Sequence, residues 1–103
     1  MRVLEFIASE QRLQRDPLCD FSGIVAGSRG YLFARFRFSK EWSGCKKVAV
    51  FTCRGKEYPV GLKENMCEVP PEVLTGGPVQ VYVLGARGAC RIPTEPVAFT
   101  VHH

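Results

Sequence analysis

Tyr31 to Cys53, YLFARFRFSKEWSGCKKVAVFTC, is the stretch whose reading decides the fold. In its first run Leu32, Ala34, Phe36 and Phe38 alternate with Tyr31, Phe33, Arg35 and Arg37. A period of two puts the first set on one face and the second on the other, as in a half-buried strand. In the second run Val48, Val50 and Thr52 alternate with Lys47, Ala49, Phe51 and Cys53. Both runs are rich in aromatic and β-branched residues, and neither carries a helical stripe. Between them Ser39 to Cys45 is polar and turn-prone and holds the only tryptophan, Trp42. The unit reads as strand, loop, strand. Phe36, Phe38 and Phe51 are predicted core residues, with Trp42 folded against Phe38 and Phe51 as a lid over the edge of the core.

Outward from this unit the same signals recur. Leu4, Phe6 and Ala8 oppose Val3, Glu5 and Ile7 in a first strand that is apolar on both faces, which predicts an inner or covered position. Ser9 to Arg15 reads as a turn and short strand stopped by Asp16-Pro17, and Leu18 to Gly30 as a glycine-broken approach containing one more short strand. Beyond Cys53, Arg54-Gly55 marks a tight turn, and Lys56 to Leu62 a strand placed at a sheet edge by Pro59, which has no N–H to donate. Lys63 to Met66 is a second turn and Cys67 to Val69 a short return strand. Pro70 to Leu74 is a single helical turn plugging one end with Val73 and Leu74. Val79 to Leu84 is a strand, Gly85 to Gly88 its hairpin turn, and Ala89 to Ile92 and Val97 to Val101 close the chain. About seven or eight short strands with frequent turn signals describe one all-β domain over residues 1–103, an antiparallel sandwich in preference to a barrel.

Composition narrows the function classes. The chain is 46% hydrophobic and 23% charged, enough apolar content for one core and too much for wholesale disorder. The net charge of +4 comes from scattered residues and falls short of a nucleic-acid footprint. No run approaches the ~18 apolar residues of a membrane span. The start, MRVLEFIASEQR, lacks the apolar centre of a secretory signal, which predicts synthesis in the cytoplasm. The five cysteines, with no C-x-x-C pair, point to neither a disulfide framework nor a zinc site. Cys53 and Cys67 fit the interior, and Cys45, beside Lys46 and Lys47, is the one mildly activated thiol.

Several residues group into a resemblance. Phe36-Arg37-Phe38-Ser39-Lys40-Glu41-Trp42-Ser43-Gly44, followed by Lys46 to Phe51, is similar to the F-x-F-S-x-x-W-x-G and K-x-A-x-F pattern of phage and prophage modules. Tyr58 to Leu62, Cys67 to Leu74, Val81 to Gly85 and Ile92-Pro93-Thr94 continue it in register. The chain thus resembles the N-terminal immunoglobulin-like domain of baseplate upper proteins and related tail-fibre proteins. The resemblance implies an immunoglobulin-like sandwich without catalysis or cofactor. It also implies a virion destination, with self-association or docking to other tail or baseplate proteins as its role.

Two sharper chemistries are weighed against this. Arg29 to Phe36 looks like the aromatic octapeptide of RNA-recognition domains, but that fold needs two amphipathic helices, and the glycines and Pro17 interrupt the first. Trp42 could serve as a sugar platform, so the alternative function is a ligand-binding β-module for carbohydrate or nucleic acid. No Ser/His/Asp spacing, paired carboxylates or phosphate-cradling loop stands out, and the terminal His102-His103 pair is read as a tag remnant or frayed end, so no catalytic, cofactor or metal residues are assigned. Tyr31, Phe33, Arg35 and Arg37 form the candidate interaction face, because aromatic and arginine side chains are favoured where proteins meet.

Overall fold

Two sheets share one core, and the loop around Trp42 carries the chain from one to the other. A computed structural model describes residues 1–103. The first sheet has the order β2-β1-β3-β6, formed by β1 (Arg2–Ser9), β2 (Arg12–Arg15), β3 (Leu32–Phe38) and β6 (Met66–Glu68). The second runs β5-β4-β7-β8, from β4 (Lys46–Cys53), β5 (Lys56–Gly61), β7 (Gly77–Arg87) and β8 (Cys90–Pro93), with β9 (Val97–Val101) also paired to β7. This is the all-β sandwich that the alternation predicts, with nine strands and two 3-10 turns, at Lys40–Trp42 and Pro71–Val73. The strands β3 and β6 pair in one sheet while their successors β4 and β7 pair in the other, so the two sheets are interlocked through the chain.

One pairing departs from the antiparallel rule. The strands β1 and β3 run parallel, from Arg2 beside Leu32 to Ala8 beside Phe38. The hairpin into β2 returns the chain toward the end where β1 starts, and Asp16 to Tyr31 carries it across to begin β3 there. That segment holds only a single bridge, Val25 to His102, and not the expected short strand. Its carbonyls find a side-chain partner in place of a ladder. The Arg2 guanidinium donates to the carbonyls of Asp20, Ser22 and Gly23 at 2.9, 2.6 and 3.2 Å. His102 is correspondingly anchored and not frayed, since its N–H donates to Ile24 O and its carbonyl accepts from Ala26 N–H, both at 2.7 Å.

Other boundaries shift for identifiable reasons. The short β6 crosses to β3 instead of returning along β5; only Lys63 and Met66 bridge at the turn. The long β7 runs through Gly85 to Arg87, and the turn falls at Gly88, whose φ is 58°. A single strand can serve two partners along one edge because Thr94 fills the gap between them. Its N–H donates to Val83 O and its hydroxyl accepts the Val83 N–H, both at 3.0 Å, between the β8 and β9 pairings.

The core is a cluster of 21 buried residues drawn from both sheets. Leu4, Phe6 and Ala8 of the first sheet and Val79, Val81 and Val83 of the second belong to it, together with Val73 and Leu74 from the second 3-10 turn and its end. Phe6 stacks on its cross-strand partner Phe36 at 5.1 Å between ring centroids and reaches Phe99 of the second sheet at 6.4 Å.

Candidate functional site

The outward residues of β3 lie where the alternation puts them. Tyr31, Arg35 and Arg37 are exposed and Phe33 is half-buried, while Leu32, Ala34 and Phe36 are buried beneath. The parallel register then sets Val3 beside Phe33, Glu5 beside Arg35 and Ile7 beside Arg37. On the far side Glu68 flanks Phe33 and Met66 flanks Arg35. The face is therefore an apolar strip of Val3, Phe33, Ile7 and Met66 interleaved with charge.

That charge is internally balanced. Arg35 donates to both carboxylate oxygens of Glu5, through Nε at 3.2 Å and an Nη at 2.5 Å, a fork fixed by the flat opposition of two strands. The hydrogen bonds, and then the negative charge of Glu5, raise the Arg35 pKa further above its already high value. Arg37 lies 3.5 Å from Asp16, which the loop after β2 brings over β1. That loop is itself docked: Asp16 N–H donates to Glu5 O at 2.9 Å, and Cys19 Sγ accepts the Glu5 N–H at 3.3 Å. Between the loop and the turn at Glu64-Asn65 lies an open groove with Arg35 and Arg37 among its lining residues and Leu18, 95% exposed, beside it.

The Trp42 loop belongs to the interior. The indole has no exposed surface, and its Nε1 donates to Glu10 O at 3.0 Å. Phe38, half-buried, packs on it at 5.0 Å and carries the Lys47 ammonium at 4.9 Å on its ring. The indole also lies against the bare backbone of Gly85 in β7: a Cβ there would fall 2.8 Å from the ring. Phe51 is buried in the same core. In this position the indole offers no face to a sugar. The helices that an RNA-recognition domain requires are replaced by strands and short turns.

Among the thiols, Cys53 and Cys67 are buried, Cys19 and Cys45 half-buried, and Cys90 exposed. Burial pushes the Cys67 pKa up to about 12, which keeps it a protonated, inert thiol at neutral pH.

The β3 side of this face was legible from its period, but its partners were not. Glu5 and Asp16 are distant in sequence, and only the parallel pairing brings them to the arginines. No family model, curated protein or solved structure matches the chain.

Proposed function

We propose that the chain is a non-catalytic structural or adaptor module of a phage or prophage tail baseplate or fibre, which mediates assembly or docking. The observation that carries the docking role is the outer face of the first sheet, where an apolar strip is interleaved with the forked Arg35–Glu5 pair and the looser Arg37–Asp16 pair. Such a face is preorganised, so a partner loses little entropy in ordering it. Its arginines are already neutralised by Glu5 and Asp16, which favours a protein surface over phosphate as the occupant. The phage assignment draws on the resemblance of the tryptophan loop and of the stretch from Cys67 to Leu74. It makes the cytoplasm the place of synthesis and the virion tail the destination.

The test is co-expression with the products of neighbouring genes, comparing the wild type with Phe33→Asp. Tail or baseplate proteins that co-purify with the wild type and are lost with Phe33→Asp support the reading. A gene neighbourhood without tail genes contradicts it, as does a glycan array or salt-sensitive RNA titration showing specific binding on this face.

A further inference from the structure

We propose that the end of the second sheet where β4 begins and β7 finishes is a docking site for an acidic segment of a protein partner, separate from the Phe33 face. Its cations are scattered in sequence and gathered by the ladder. Lys46 and Lys47 open β4, and the register sets them beside Ala86 and Gly85. Ala86 in turn lies beside Arg91 of β8, and Arg87 follows it in β7. On the other side of β4 the Leu62 N–H donates to Lys47 O at 3.0 Å, which brings Lys63 to the same end. Glu64, which lines a shallow groove with Lys46 and Lys47, is the one carboxylate among these five cations.

The charge surplus of the molecule lies here. The chain has 14 lysines and arginines and 10 acidic residues, of which five and one belong to this cluster. The remaining nine cations are therefore matched by nine carboxylates, and the cluster alone accounts for the net charge of +4. Lys40 and Glu41 are neighbours in the adjoining 3-10 turn and offset each other. Glu10 and Glu95 lie instead beside Arg12, at the tip of the first hairpin. At the other end of the sheet Arg54 is held by Thr75 Oγ1 and Gly76 O, and Glu57 follows Lys56. The two ion pairs of the molecule, Arg35–Glu5 and Arg37–Asp16, leave the cluster untouched.

The arrangement also selects the occupant. Lys46, Lys63 and Arg91 are exposed, whereas Arg87 is tied to Ser43 O and the Lys47 ammonium rests on the Phe38 ring at 4.9 Å. With strands about 4.8 Å apart, Lys46 and Arg91 stand roughly 10 Å from each other across the small Ala86. Like charges held at fixed positions on a sheet repel, and a ligand that brings carboxylates relieves that repulsion. A nucleic acid fits less well. Trp42 is buried and Phe38 half-buried beneath Lys47, so no aromatic platform is open to a base. Three free cations also fall short of the roughly 6–10 phosphate contacts of a salt-dependent nucleic-acid binder.

Fluorescence anisotropy with a labelled oligoglutamate peptide, and with a single-stranded oligonucleotide of equal charge for comparison, tests this. The expected result is saturable peptide binding that weakens as salt rises and falls about tenfold or more in Lys46→Glu combined with Arg91→Glu. Arg29→Glu combined with Lys56→Glu changes the net charge equally at exposed positions elsewhere, and is expected to stay within about twofold of wild type. Circular dichroism confirms that each variant is folded. A wild type that ignores the peptide overturns the proposal, as do equal losses in the two double variants or tighter binding of the oligonucleotide. The site fails separately from the tail reading. A protein that binds the peptide but no tail protein refutes only the tail assignment, and one that recovers a tail protein through Phe33 but ignores the peptide refutes only this site.

Discussion

Trp42 and Gly85 are one feature seen from two sheets. The indole can approach β7 this closely only because residue 85 has no side chain, and its N–H is satisfied by Glu10 O, so its burial leaves no orphan donor. Trp42→Ala is expected to cost about 3–5 kcal/mol, as for other large aromatic truncations. Gly85→Ala is expected to cost about 1–3 kcal/mol through overpacking. Denaturant titrations of both single variants and the double variant check this: in the Trp42→Ala background the extra methyl has space, so the Gly85→Ala penalty largely disappears. Equal penalties in both backgrounds would mean that the two residues are not in contact. The same loop ties down the first hairpin, since Ser39 N–H donates to Ala8 O at 2.9 Å and Ser39 Oγ accepts the Glu10 N–H at 3.0 Å.

At the scale of elements, the period-two patterns gave strand positions and inward faces with little ambiguity. Alternation is a local property, set by which side chains a pleated strand must bury. Leu4/Phe6/Ala8, Leu32/Ala34/Phe36 and Val79/Val81/Val83 all point inward as their spacing predicts. Pairing partners were a different matter, because nothing in Glu5 or Arg35 taken alone says that β1 and β3 lie side by side in parallel. The end of β7 was misjudged because Gly85 signals a turn as readily as a close approach, and only the indole above it distinguishes the two. The switch of β7 between β8 and β9 was likewise invisible, since it rests on Thr94. Thr94→Val keeps the shape but removes the acceptor for the buried Val83 N–H. It is expected to cost about 1–3 kcal/mol, measured by the shift in denaturation midpoint at unchanged slope. A stability within error of wild type would mean that another group, or water, satisfies that N–H.

For the whole molecule, the sandwich spends its inner faces on one shared core and keeps apolar side chains on both outer faces. On the first sheet these are framed by intramolecular ion pairs. That arrangement suits a partner of different sequence. Both outer faces are rigid surfaces built on strands, and both leave Trp42 sealed inside. The proposed tail docking is tested most directly by hydroxyl-radical footprinting of the protein alone and in complex with any tail or baseplate protein that co-purifies with it. It predicts that Tyr31, Phe33 and Met66 become protected in the complex while Trp42 stays unreactive in both states. Undiminished labelling of Tyr31, Phe33 and Met66 in a saturated complex would contradict it.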